Sequence, residues 1–265
     1  MYSRFQLAKK YLHYYFSASN GKGHGIHSPF VYEFTRKVLM DKRVYEPYPA
    51  IETQRKALLA NRQSIPVEDF GAGSSVIKTK ERAVNRIAAS SLKPAKFAQL
   101  LFRIVKHYQP QQILELGTSF GITTAYLAAA APGAKVFTAE GAASVAGIAR
   151  ENFDMLALSN IELIEGDFRV TLPSLLERIK RVDLAFIDGN HRKEPTLDYF
   201  QQILKYSHPS TILIFDDIHW SAEMESAWET IRQDPAVTLS IDLFFIGILF
   251  FNPDINHKQD FCIRF

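Results

Sequence analysis

From Pro110 onward, short apolar runs alternate with amphipathic segments, and the alternation predicts a series of strand and helix units. Residues 113–116 read as a buried strand, and 136–139, 161–164, 184–187 and 212–215 as further strands. Residues 123–131, 144–158, 172–179 and 197–206 read as the helices between them, the first stopped by Pro132 and Gly133. Such a succession predicts βα units and a parallel sheet. The runs 237–243 and 245–251 have only Phe244 between them, too little for a crossover helix, so they predict antiparallel pairing. Residues 261–265 form one more short run.

The first part of the chain is patterned differently. Phe5, Ala8, Leu12, Tyr15 and Phe16 stand at helical spacing and predict a helix over residues 4–16, ended by the glycine-rich stretch 20–25. Ser28 and Pro29 have the form of a cap and a first helical residue, with Phe30, Val31, Phe34 and Val38 following on one face. Residues 45–66 carry several prolines and little periodicity, and 69–74 is a small-residue loop, so no sheet is expected there. Lys93 and Pro94 open a helix ahead of the first strand. The expected organisation is a mainly helical extension or cap over residues 1–92 and an α/β domain over 93–265.

Composition changes this picture in two ways. The chain has 265 residues, of which 47% are hydrophobic and 22% charged, enough to build a full core and too apolar for disorder. The net charge of +3 conceals a balance of +12 up to Pro110 and −9 after it. A basic leader joined to an acidic body implies either mutual docking or attraction of an anionic acceptor. One cysteine, Cys262, and no apolar run of membrane-spanning length point to a cytoplasmic protein with no membrane partner.

Candidate chemistry gathers at the strand ends. The first strand runs into Gly117-Thr118-Ser119-Phe120-Gly121 and then a helix, an arrangement that lets backbone approach a ligand beside free helix amides. Glu140 ends the second strand, where a carboxylate can accept from both hydroxyls of a ribose, and Gly166-Asp167-Phe168 ends the third, where an acid and an aromatic could bracket adenine. The segment 69–74 imitates the glycine loop but lacks a following apolar strand with a terminal acid, so it is expected to be a lid or a turn. A nicotinamide cofactor is disfavoured because the loop has glycines at its first and fifth positions, and Ser119 stands where the second glycine would be.

Glu115 to Gly121, Glu140, Gly166-Asp167-Phe168, Phe186-Ile187-Asp188-Gly189-Asn190-His191 and Phe215-Asp216-Asp217, in this order, resemble the motifs of class I S-adenosylmethionine-dependent methyltransferases. The nearest resemblance is to the small O-methyltransferases related to catechol O-methyltransferase. It covers residues 93 to the C-terminus and implies a Rossmann-like fold with a seven-stranded, mostly parallel sheet whose last strand is antiparallel. It also implies S-adenosylmethionine as cofactor, contacted by Glu115, Gly117, Thr118, Ser119, Gly121, Glu140, Gly141, Asp167, Phe168 and Asp188.

Relatives of that kind place a divalent metal at the ends of the fourth and fifth strands, with an Asp at the first and an Asp-Asn pair at the second. The corresponding residues are Asp188, Asp216 and Asp217, and Asp217 departs from the pattern by adding a negative charge. Three carboxylates suit Mg or another hard divalent cation that lowers a bound hydroxyl's pKa. His191 and His219 are the alternative proton acceptors, so Asp188, His191, Asp216 and His219 form the expected catalytic set. The reading is O-methylation of a small-molecule hydroxyl, with a homodimer possible. The rivals are an RNA or protein methyltransferase that uses the basic leader and a non-catalytic cofactor-binding protein. The leader holds no recognised nucleic-acid module, which disfavours the first.

Overall fold

The computed structural model describes residues 1–19, 21, 27–69 and 78–265. In chain order the elements are α1 (Arg4–Ser17), α2 (Pro29–Phe34) with a π-helical turn (Thr35–Leu39), α3 (Tyr48–Ala60), β1 (Ser64–Asp69), β2 (Lys78–Ala83), α4 (Val84–Ser91) and α5 (Ala95–Tyr108). The alternating part follows as β3 (Gln112–Leu116), α6 (Ile122–Ala130), β4 (Lys135–Glu140), α7 (Ala143–Met155), β5 (Ile161–Glu165), α8 (Phe168–Ile179), β6 (Leu184–Ile187), α9 (Lys193–Leu204) and β7 (Ile212–Asp216). The tail holds α10 (Ala222–Arg232), β8 (Leu239–Asp242), β9 (Ile246–Phe250) and β10 (Gln259–Cys262).

The chain divides into two compact units, residues 42–178 and residues 1–41 with 179–265. The first unit holds three parallel strands in the order β3-β4-β5. β3 and the interior of β4 are buried, whereas β5 is half-buried along its apolar run, as befits an edge strand. The residues that show no strand signal in the sequence form an antiparallel β1-β2 pair, which corrects the expectation of no sheet. The sequence of β2, Lys-Thr-Lys-Glu-Arg-Ala, has no period-two apolar pattern, so only its backbone pairing declares it. α3 was also hidden, because Pro47 and Pro49 read as loop residues where they mark a helix start.

In the second unit β6, β7 and β9 are buried throughout. β6 pairs parallel with β7, and β9 runs antiparallel to both β7 and β8. The hairpin expected around Phe244 is therefore present. β10 adds parallel to β8, so the strands of this unit stand in the order β10-β8-β9-β7-β6. Ser28 makes no side-chain cap to α2, contrary to its appearance in the sequence, while Ser3 and Gln6 build a capping box on α1. No described helix is long and apolar enough to cross a membrane.

Candidate active site

In the first unit β3 delivers Glu115 into the core and then turns through three left-handed residues, Gly117 at φ 103°, Ser119 at 49° and Gly121 at 77°, before α6 begins. Glu115 is fully buried. One of its oxygens accepts from the hydroxyls of Thr124 and Thr138, the latter at 2.6 Å, and its Oε1 has no hydrogen-bond partner. Burial raises its pKa to about 7 against the pull of the two threonines. Its burial excludes an ordinary solvated acid.

A raised acid pKa makes the folded state hold the proton longer than the unfolded state does. Glu115 therefore costs stability progressively as pH climbs from its ordinary value of 4.5 through about 7. Glu115→Gln is expected to flatten that slope. Thermal melts of both proteins across this window would show parallel pH profiles if Glu115 titrated normally.

Thr118 is buried, with its hydroxyl 2.5 Å from that of Thr138, so its side chain supports the network beneath the loop. Above it, Glu140 ends β4 and accepts from the Ser119 amide at 2.8 Å and the Ala142 amide at 3.0 Å. Gly141 donates its amide to the same carboxylate. Burial nevertheless keeps the pKa of Glu140 above its ordinary value, the amides opposing it. The effect is to tie the glycine loop after β3 to the end of β4. The Ser119 hydroxyl lies 2.7 Å from that of Ser91 at the end of α4, so a segment outside the resemblance touches this loop. Arg55 of α3 donates to the Lys93 carbonyl at 2.6 Å, just before α5.

Gly166, at φ 126°, turns β5 into Asp167 and Phe168, both half-buried. The Asp167 carboxylate accepts from the Arg169 amide at 2.9 Å and pairs with its guanidinium, and these contacts hold its pKa below the usual value. Residues 70–74 of the imitation glycine loop lie outside the described residues.

In the second unit the ends of β6 and β7 bring Asp188, His191 and Asp216 together, with one ligand-type atom of each within 4.8 Å of the others. The His191 Nε2 is 3.6 Å from an Asp188 oxygen. Asp216 is buried, while Asp188 and His191 are half-buried. Asn190 at φ 58° and Asp217 at φ 53° shape the two turns. The Asp217 amide donates to the Phe245 carbonyl at 2.7 Å. Asp217, expected as a metal ligand from its sequence position, is not part of the cluster, and His191 takes the third place: the left-handed turn at Asp217 follows directly on Asp216.

His219 is not placed to take a proton from a substrate. Its Nδ1 is 2.9 Å from Glu225 of α10 and its Nε2 is 2.8 Å from Asp242 of β8, with the ring stacked on Phe244. Burial disfavours the imidazolium, but Asp242 and Glu225 together outweigh it and raise the pKa. His219 thus ties α10 to β8, and its contribution to stability fades as pH rises above the ordinary histidine value. Nothing in the sequence around His219 distinguishes it from His191, because Asp242 lies 23 residues further along the chain.

Parallel strands within each unit, with β9 alone running against its neighbours, a glycine loop after β3 and acids at the strand ends, make the Rossmann-like class I methyltransferase fold. Residues 114–218 match a family described as a methyltransferase domain. The chain is 34% identical over 145 residues to a catechol O-methyltransferase of Niastella koreensis, a match covering 53% of this chain and 63% of that protein. It is 31% identical over 153 residues to a catechol O-methyltransferase of Mycobacterium tuberculosis, covering 57% and 66%. The chain thus spans just under two thirds of the length of these two relatives. Among solved structures, a Bacillus cereus O-methyltransferase in complex with S-adenosylhomocysteine superposes with a TM-score of 0.55 at 22% identity, over 82% of this chain and 96% of that one. A Podospora anserina methyltransferase bound to S-adenosylhomocysteine gives 0.59 at 12% identity, over 95% and 97%. These two likenesses establish the fold.

Proposed function

We propose that the protein is an S-adenosylmethionine-dependent methyltransferase that transfers the methyl group to a hydroxyl oxygen of a small molecule. The observation that carries the reading is the Asp188, His191 and Asp216 cluster at the ends of β6 and β7. Methyl transfer breaks the sulfonium S–CH3 bond and forms an O–CH3 bond, and the hydroxyl must give up its proton to become a competent nucleophile. His191 is the proton acceptor, and Asp188 orients its ring and supports the charge it gains. Glu140 is suited to the ribose hydroxyls of the donor, Asp167 and Phe168 to its adenine, and the loop from Gly117 to Gly121 offers backbone to its amino-acid part.

Two carboxylates and an imidazole also fit a divalent cation. Asp188 and Asp216, with His191 as the third donor, would hold it, and it would supply Lewis-acid lowering of the acceptor hydroxyl's pKa. Because two relatives are catechol O-methyltransferases by name, small phenols with adjacent hydroxyls are the acceptors to try first.

Calorimetric titration with S-adenosylhomocysteine and transfer of labelled methyl to a panel of phenols test the reading. Binding should weaken by roughly tenfold or more in Glu140→Ala, the loss of charge-assisted hydrogen bonds to the ribose. Turnover that survives exhaustive chelation would assign proton removal to His191 alone. A chain that does not bind S-adenosylhomocysteine at all would sink the proposal.

A further inference from the structure

The apolar positions that identify α1 in the sequence are not the ones that hold it. Phe5 is 81% exposed, Leu12 57% and Phe16 78%, and their spacing of seven and four residues sets them in one stripe about 16 Å long. The opposite side is the anchored one. The Tyr2 hydroxyl donates to Glu225 at 2.7 Å, the Lys10 ammonium reaches the same carboxylate at 3.0 Å, and the Tyr14 hydroxyl donates to the Ile263 carbonyl. The rings of Tyr11 and Tyr14 pack on Phe244 at 5.1 and 5.2 Å. The stripe is therefore displayed by a fixed helix and not by a fraying terminus.

Its charge setting narrows what can cover it. Residues 1–32 contain Arg4, Lys9, Lys10 and Lys22 and neither Asp nor Glu. Lys10 is taken by Glu225, which leaves Arg4 and Lys9 exposed beside the stripe, Lys9 lying between Phe5 and Leu12 on the same face. A symmetric contact with a second copy of α1 would set these cations against their own images with no acid on the helix to answer them. The complementary partner is negative and admits apolar side chains from an exposed helix face. The headgroup region of a bilayer with anionic lipid offers both, taking phenylalanine and leucine below the phosphates while lysine and arginine stay among them.

We propose that α1 is a membrane-surface helix that adsorbs the protein to bilayers carrying anionic lipid. This mode lies flat in the interface and needs no spanning length, so it is independent of the apolar-run criterion that led the sequence to suggest no membrane partner.

Co-sedimentation of the full chain with vesicles of phosphatidylcholine, alone or mixed with phosphatidylglycerol, tests it. The expected result is binding to the mixed vesicles that falls with added salt, and little binding to the neutral ones. Phe5→Ser, Leu12→Ser and Phe16→Ser combined should lower the partition coefficient by roughly tenfold or more with the melting temperature kept. Arg4→Glu with Lys9→Glu should weaken binding without touching the apolar stripe, so the idea stays testable even if the triple variant folds poorly. Absence of binding to the anionic vesicles, or equal binding by the charge-reversed variant, overturns it. So does a triple variant whose only change is a dimer becoming a monomer in sedimentation velocity, since a second copy would then cover the stripe.

Discussion

Asp216→Asn and Asp188→Asn are each expected to cut methyl transfer by roughly 10²- to 10⁴-fold, the range a positioned acid or base contributes. Both substitutions keep side-chain shape and remove the charge that, with His191, defines the cluster. His191→Ala should fall in the same range, and the three losses should not add, because groups that act as one unit fail together. The contacts expected from residues 115–168 are untouched by Asp216→Asn, so S-adenosylhomocysteine affinity should largely survive it. Asp188 also stands among the expected cofactor contacts, and a drop in affinity confined to Asp188→Asn would give it that second role. Single-turnover rates and calorimetric titration of the same preparations separate the two effects. Full activity in both aspartate variants would place the reacting groups elsewhere.

What the sequence disclosed and what it hid follow from how each feature is encoded. The strands from β3 to β9 are written as local apolar runs, and Leu184–Ile187 coincides with its expected bounds because Asp183 and Asp188 flank it with charge. Glycine loops and strand-end acids are also local, so Gly117, Gly121, Glu140 and Asp188 could be singled out by position. The role of His219 depends on Asp242 and Glu225, partners from two other elements, and no spacing rule joins them. The same holds for Glu115, whose threonine partners come from α6 and β4. Helical spacing revealed α1 without saying which face would be outward, because aromatic and basic residues can anchor a helix through their polar ends as well as an apolar stripe can.

Gly121→Ala is expected to damage the glycine loop through both backbone and packing. The residue sits at φ 77°, where a side chain costs about 1 to 2 kcal/mol. A Cβ would also stand 2.4 Å from the Phe153 ring and 3.3 Å from the Ala149 methyl, and overpacking of that kind costs about 1 to 3 kcal/mol. Phe153 is buried on α7, so its ring cannot swing into solvent, and the strain falls on the turn that leads into α6. The Ser119 amide, which holds Glu140, lies two residues before it, so S-adenosylhomocysteine affinity should fall along with the melting temperature. Gly147→Ala on α7 is the contrast: a Cβ there meets nothing within 4 Å, and removing a helical glycine should be neutral or stabilising by up to about 1 kcal/mol. Adding Phe153→Ala to Gly121→Ala should relieve the clash while leaving the cost of the left-handed backbone, so the double variant should melt above the sum of the two single losses. Strict additivity would mean that the ring and the loop are not in contact, and the turn would then be held by its backbone alone.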